Sequence, residues 1–160
     1  MDALTQSNYS LYAIPVFWVL VLLPHLYATT TIKEATNGRF DNQNPHGDTY
    51  RTFIKKVCPA ETYTKWERAE AAHRNGFENL PLFAAAVIAG NMARLDNGVL
   101  NLCAVAFLGL RVGHTVAYVT ITDLNLSFVR TAMYFMSSGC CLYLLVSAGN
   151  VMAKGGPAMF

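Results

Sequence analysis

Four long apolar stretches constrain this chain more than any other feature of its sequence. They run over residues 11–32, 77–95, 99–121 and 127–153, to within a residue or two. A helix needs about 20 apolar residues to cross the roughly 30 Å hydrocarbon core of a bilayer, because each residue adds about 1.5 Å. The four stretches have that length, so the sequence predicts an all-α integral membrane protein with four transmembrane helices in one bundle.

The composition supports this prediction and excludes several kinds of site. The 160 residues are 53% hydrophobic and 14% charged, which is too apolar for an ordinary soluble domain. Neither a phosphate-binding glycine loop nor a basic groove with interleaved aromatic residues is present, so nucleic acid is not an expected partner. The four cysteines lack the spacing of metal ligands, and no metal site is expected.

The basic residues are concentrated between the first apolar stretch and the core of the second. That group is Lys33, Arg39, Arg51, Lys55, Lys56, Lys65, Arg68 and Arg74. Because basic loops stay on the cytoplasmic side, we expect the polar segment 33–63 to be a cytoplasmic loop. Four spans then place both termini on the lumenal side, where the basic residues are Arg94 and Lys154.

The second helix is expected to start near residue 61, well before its apolar stretch, because residues 61–76 are rich in helix formers. Small residues then follow one another along its apolar half: Ala84, Ala85, Ala86, Ala89 and Gly90. Small side chains let helices approach closely in lipid. The sequence therefore favours a compact bundle.

Polar side chains recur at helical spacing on three of the four helices. The second helix carries Arg68, Ala71, Asn75 and Glu78 on one stripe, with Arg74 beside it; the third carries Arg111, His114 and Tyr118; the fourth carries Arg130 and Tyr134. An ionisable residue in a bilayer costs about 2.5 kcal/mol or more, so each must be paired, hydrated or functional.

Each of these residues also has a structural interpretation. Arg111 and Glu78 would form a buried pair that holds two helices in register. Arg130 would extend to lipid headgroups, and Tyr118 and Tyr134 would belong to an interfacial aromatic belt. His73 and His114 are typical of hydrogen-bonded structural histidines.

Taken together, the set suits a zwitterionic, multiply anionic ligand. Arginine binds carboxylates, glutamate binds an ammonium group, and asparagine and tyrosine bind amides or a thiolate. Glutathione carries all of these groups. An arginine at the start of the fourth helix would favour the reactive thiolate over the thiol.

Two motifs resemble one known family. They are Glu67-Arg68 followed by residues 72–78 (AHRNGFE), and residues 111–118 (RVGHTVAY), with Arg130 and Tyr134 at the expected separation. These stretches resemble the membrane-associated proteins in eicosanoid and glutathione metabolism, which include microsomal glutathione transferases and prostaglandin E synthase. The resemblance covers all four helices.

The resemblance implies a left-handed, up-and-down four-helix bundle that forms a homotrimer in the endoplasmic reticulum, with glutathione bound between subunits. By position, Arg130 and Tyr118 would be catalytic, and Arg130 would stabilise the thiolate. The implied glutathione-binding residues are Arg68, Arg74, Asn75, Glu78, Arg111, His114 and Tyr134. The sequence departs from the family at Ala71, where active members commonly carry an arginine, and Arg68 or Arg74 would have to replace it.

The leading expectation is a glutathione-dependent transferase, peroxidase or isomerase that acts on a lipophilic electrophile, in lipid metabolism or detoxification. The alternative, suggested by Ala71, is a non-catalytic lipid-binding scaffold of the same fold. A channel is a weaker third interpretation, because the first helix offers only His25 and a few threonines to line a hydrated path.

Overall fold

The computed structural model describes residues 7–39, 41, 43–44, 47–121 and 127–155. Among these residues, a short 3-10 turn, Ser10–Tyr12, leads into the first of five helices. These helices are α1 (Ala13–Ala35), α2 (Asp48–Val57), α3 (Ala60–Met92), α4 (Asn97–Thr120) and α5 (Ser127–Ala153). The described residues contain no strand, so the predicted all-α class is confirmed.

Among the described residues, three helical segments are long and apolar enough to cross a membrane by length and composition: Ser10–Ala35, Asn97–Thr120 and Phe128–Ala153. Four were predicted from the sequence. Helix α3 falls short because Asn75, Glu78 and Asn79 interrupt its apolar half. Its crossing of the bilayer stays a prediction.

The prediction of a loop over residues 33–63 is wrong in one respect, because this segment contains helix α2. Tyr50, Phe53, Ile54 and Val57 recur at helical spacing in this segment, which gives α2 an apolar stripe. Tyr50 and Ile54 are buried in a small core with Ile32 of α1 and Trp66 of α3. Burial of Tyr50 and Ile54 therefore stabilises a helix where the turn-forming residues that precede it, such as Asn44-Pro45, indicate a loop.

The end of α1 has a backbone conformation that the sequence Asn37-Gly38 favours. Both residues have positive φ, 52° and 83°, and the Gly38 amide donates to the Lys33 carbonyl at 2.8 Å. Glycine reaches this left-handed region without a steric penalty and often closes a helix in this way. The turn directs the chain out of α1 before α2 begins.

The main core lies among α1, α3, α4 and α5 and is centred on three phenylalanines. Phe83 and Phe107 stack with ring centroids 3.9 Å apart, and Phe17 meets them edge-on at 5.7 and 4.8 Å. Edge-on and stacked rings add to the stability that burial alone provides. This cluster joins α1, α3 and α4.

Helix α1 packs along α3, and α4 packs along α5, while α3 also contacts both α4 and α5. Small residues permit these approaches. A Cβ atom on Gly76 would lie 2.8 Å from both γ-carbons of Val21, so α1 lies directly against the α3 backbone there. By contrast, α1 and α4 make few direct contacts.

A polar network closes the end of the bundle where α1 begins. The Asn8 side chain donates to Asn91 Oδ1 at 2.6 Å, and the Tyr9 amide donates to Asn101 Oδ1 at 2.8 Å. Ser10 is buried and accepts from Asn91 at 3.0 Å. The start of α1, the end of α3 and the start of α4 therefore meet at one end of the molecule.

Candidate functional site

Arg111 and Asn75 join α4 to α3 inside the bundle. Arg111 Nη2 donates to the Asn75 side-chain oxygen at 2.7 Å and to the Asn75 carbonyl at 3.0 Å. Glu78 is exposed instead. The interpretation of Arg111 and Glu78 as a buried ion pair is therefore wrong: the amide of Asn75, one helical turn earlier, provides the acceptor.

The Arg111 guanidinium lies between two aromatic rings and is only 3% exposed. Its central carbon is 5.9 Å from the ring centroid of Phe17 and 5.7 Å from that of Tyr134. Among the described residues, its Nη1 atom has no hydrogen-bond partner. A buried guanidinium with unused donors is a binding position for an anion or another acceptor.

Arg130, His114 and two tyrosines form an aromatic cluster next to Arg111. His114 is 3% exposed, and its ring centroid lies 5.6 Å from Tyr118 and 6.2 Å from Tyr134. The Arg130 guanidinium lies 4.3 Å from the ring centroid of Tyr118, within the range of a cation–π contact. Arg130, Tyr118 and Tyr134 are half-buried, which leaves them reachable from outside the bundle.

These contacts make one continuous group from six of the predicted residues: Asn75, Arg111, Tyr134, His114, Tyr118 and Arg130. We call this group the α3–α5 polar cluster. Helical spacing explains its geometry, because residues three, four and seven apart share one face of α4 and of α5. It places two guanidinium groups and two phenol hydroxyls on neighbouring helices.

Three predicted residues lie outside this cluster. Arg74 and Glu78 are exposed on the outer side of α3, and neither makes a hydrogen bond or ion pair with another described residue. Arg68 donates to the carbonyl of Ile121 at the end of α4. It also lines a cavity with Lys65 and Tyr27.

A second polar group, which was not predicted from the sequence, lies between α1 and α3. His25 Nδ1 lies 2.8 Å from a carboxylate oxygen of Glu70, which is 5% exposed. The His25 and His73 rings are 4.9 Å apart, and His73 Nδ1 donates to the Val21 carbonyl at 2.8 Å. The signal available was a histidine directly after Pro24 in an otherwise apolar stretch.

His73 therefore has the structural role predicted for it. The described residues contain no group of three or more His, Cys, Asp or Glu side chains that could hold a metal ion.

The long apolar helices and the polar cluster between them define an all-helical membrane protein with a polar site inside the bundle. Comparison with models of protein families identifies the family: the model of the MAPEG family matches residues 10–150. The chain belongs to the MAPEG family, and it is an integral membrane protein. Neither the curated proteins nor the solved structures searched gave a match.

Membership connects the chain, at the level of the family, with membrane transferases and synthases that use glutathione. The polar cluster offers the groups that such chemistry requires. Guanidinium groups bind carboxylates and lower the free energy of a nearby thiolate, and phenol hydroxyls donate to it. The donors present are therefore compatible with glutathione as a cosubstrate.

Proposed function

We propose that this protein is a glutathione-dependent membrane transferase, peroxidase or isomerase that acts on a lipophilic electrophile. The observation that carries the proposal is the Arg130 guanidinium, held 4.3 Å from the Tyr118 ring at the reachable side of the polar cluster. Membership of the MAPEG family supports the use of glutathione.

In this proposal, Arg130 and Tyr118 act on the sulfur atom. A thiol of ordinary pKa near 8.5 is mostly protonated at neutral pH, and an adjacent guanidinium favours its thiolate. With an aryl halide, the thiolate sulfur bonds to the ring carbon and the carbon–halogen bond breaks. Halide leaves, and the thiol proton passes to water.

The other residues of the cluster would bind the peptide part of glutathione. Arg111 offers the Nη1 donor that no described residue uses, and Asn75 keeps its amide nitrogen for a ligand carbonyl. His114 and Tyr134 would form the wall of the pocket. Arg68 contacts Ile121 and a different cavity, so no contact with the cluster supports its predicted role in glutathione binding.

Arg74 and Glu78 would complete the site across a subunit boundary. Both are exposed on the outer side of α3, although a charged residue exposed to lipid is costly. A homotrimer that buries this side of α3 would give both side chains polar partners. Chemical crosslinking in the native membrane tests this proposal, because it should yield species up to a trimer and none larger.

The proposed location is the endoplasmic reticulum, with segment 33–63 in the cytoplasm and both termini in the lumen. The concentration of basic residues in that segment supports the orientation. Protease protection of tags at either terminus in sealed microsomes tests it.

The test of function is conjugation of glutathione to an activated aryl halide by the purified full chain in lipid. We expect Arg130→Ala to lower turnover by about a hundredfold, the effect of losing one donor to a developing or stabilised anion. Arg94→Ala is the matched control, since Arg94 is exposed near the opposite end of the bundle and should change nothing. The ultraviolet absorbance of bound thiolate should disappear in Arg130→Ala as well.

Unchanged turnover in Arg130→Ala would refute the proposed role. A second candidate function, the non-catalytic lipid-binding scaffold, is favoured by Ala71, whose half-buried methyl group stands where the family resemblance implies that active members commonly carry an arginine. The scaffold predicts no turnover and no thiolate absorbance in the wild type. Some turnover in Ala71→Arg would then indicate a catalytic site that has lapsed.

A further inference from the structure

A histidine and a glutamate meet between α1 and α3, outside the α3–α5 polar cluster. His25 Nδ1 lies 2.8 Å from Glu70 Oε1, and Glu70 is buried. A buried carboxylate is destabilising unless hydrogen-bond donors or a positive charge compensate it. His25 supplies such a donor, so the pair stabilises the contact between α1 and α3.

The pair directly follows Pro24, which is inside α1. Proline has no N–H, so it cannot donate to the carbonyl of Leu20, and a helix bends most easily at such a point. The next carbonyl, that of Val21, accepts a hydrogen bond at 2.8 Å from His73 of α3. The position of α1 after Pro24 therefore depends on its contacts with α3.

The part of α1 after Pro24 also forms one wall of the small core beneath α2. Ala28 and Ile32 are fully buried there, together with Trp66 of α3, which is 4% exposed. If this part of α1 moved away from α3, Trp66 would become exposed and α2 would lose a surface against which it packs. The contact at His25 is therefore placed to control the packing of this end of the bundle.

His25 is in a position to exchange a proton with water. Its side chain is 30% exposed, and the three threonines at 29–31 begin one turn later on α1. Histidine is the side chain that ordinarily changes charge between about pH 5 and 8. When protonated, His25 forms a charge-assisted contact with ionised Glu70; when neutral, it leaves an ordinary hydrogen bond to a buried carboxylate. The contact is therefore stronger at the acidic end of this range and weaker at the alkaline end.

A second histidine faces the pair from α3. The ring centroid of His73 lies 4.9 Å from that of His25, and its Nδ1 proton is donated to the Val21 carbonyl. Two protonated imidazoles at that separation would repel each other. The Glu70 carboxylate, 2.8 Å from His25, favours a proton on His25 over one on His73. One added proton, on His25, therefore strengthens the contact.

The other charged or titratable groups around this contact are of types that do not ordinarily change charge in the same range. Among the described residues, they are Tyr27 on α1, Glu67 and Arg74 on α3, Arg111 on α4, and Tyr50 and Arg51 on α2. Carboxylates titrate near about pH 4, tyrosine near about pH 10 and arginine above about pH 12. Glu67 and Arg74 are exposed, and Arg111 lies about two turns of α1 away, beside Phe17. His25 is therefore the group that would make this contact depend on pH near neutrality.

We propose that His25 and Glu70 form a proton-dependent latch between α1 and α3, beside Pro24. Protonated His25 holds the part of α1 after Pro24 against α3. When the proton passes to water, this part of α1 can move away, and the small core around Trp66 loosens. The latch uses no residue of the α3–α5 polar cluster, so it does not depend on glutathione.

The intrinsic fluorescence of Trp66 tests the latch in the full chain in lipid nanodiscs. Trp18→Phe leaves Trp66 as the remaining tryptophan of the two. In this background, we expect the emission to shift to longer wavelength as the pH rises from about 5.5 to about 8. His25→Gln should abolish that shift, because glutamine does not titrate, and Glu70→Gln should abolish it because a neutral amide gives His25 no ion pair. His73→Gln is the matched control: its amide can still donate to the α1 backbone, so the shift should persist.

Thermal unfolding gives a second measure, which also serves for a variant of lower stability. The difference in Tm between the wild type and His25→Gln should shrink by about 2–4 °C between the two pH values, which is the difference between a charge-assisted and an ordinary hydrogen bond in a chain of this size. The difference between the wild type and His73→Gln should stay constant.

Three results would overturn the proposal. An emission shift of equal size in His25→Gln would assign the titration to another group. A difference in Tm that stays constant with pH would show that His25 and Glu70 form a static hydrogen bond. Loss of the shift in His73→Gln but not in Glu70→Gln would place the titrating contact at His73. None of these measurements uses turnover, so failure of the glutathione proposal would leave this one standing.

Discussion

Replacement of Gly76 by alanine should weaken the contact between α1 and α3. The new Cβ would lie 2.8 Å from both γ-carbons and 3.3 Å from the β-carbon of Val21, so either helix must shift. Overpacking of this kind costs about 1–3 kcal/mol. In the interior of a helix, alanine is more stabilising than glycine by roughly 0.5–1 kcal/mol. The net loss in free energy of unfolding is therefore about 0–2.5 kcal/mol, with a central value of about 1.25 kcal/mol.

Thermal unfolding of the purified protein in detergent micelles measures this loss. At about 2–4 °C per kcal/mol for a chain of this size, the central value corresponds to a fall in Tm of about 2.5–5 °C. Gly109→Ala is the matched control, because Gly109 is also inside a helix but a Cβ atom there meets nothing within 4 Å. Its Tm should rise by about 1–4 °C.

A double substitution makes the test specific to the contact. Adding Val21→Ala to Gly76→Ala removes both clashing γ-carbons, so the two losses should be less than additive. If Gly76→Ala raises the Tm as Gly109→Ala does, α1 does not pack directly against the α3 backbone, and the reasoning fails.

Three further predictions concern a buried donor, a helix cap and a thiol. Asn75→Ala should lower the free energy of unfolding by about 1.5–3 kcal/mol in denaturant titrations, because Arg111 loses a charge-assisted partner, while the exposed Asn150→Ala should have no effect. Asp96→Ala should lower the free energy of unfolding by about 0.5–2 kcal/mol in the same assay, because the Asp96 side chain accepts from the Val99 amide at the start of α4. Asp96→Asn keeps an acceptor and should lower it less. Burial raises the pKa of the Cys58 thiol, so at neutral pH maleimide should alkylate it more slowly than a small-molecule thiol, and the rate should increase only at higher pH. Mass spectrometry measures the alkylation. Rapid labelling at neutral pH would contradict the burial of Cys58.

Apolar length and helical spacing predicted the all-α class because both signals are local. Spacing also placed Arg111, His114 and Tyr118 on one face of a helix, which is how α4 presents them. The same kind of local signal was present in α2, where Tyr50 and Ile54 are four residues apart. The turn-forming residues before that segment outweighed this signal, and the helix depends on burial against Trp66 of α3.

Partners between helices could not be predicted, because spacing along one helix does not fix its rotation against another. The structural interpretation paired Glu78 with Arg111, but the register of α3 turns Asn75 inward and Glu78 outward. The contact of His25 with Glu70 likewise depends on the angle at which α1 meets α3. The composition of each stretch can be read from the sequence, but its rotation against the neighbouring helices cannot.

The positions of the two tryptophans have a consequence for spectroscopy. Trp18 is 47% exposed on the outer surface of α1, and Trp66 is 4% exposed beneath α2. Brominated acyl chains should quench the first and spare the second, whereas release of α2 should shift the emission of Trp66 to longer wavelength. Because the chain has only two tryptophans, its intrinsic fluorescence separates into a signal from the lipid side and a signal from the docked helix.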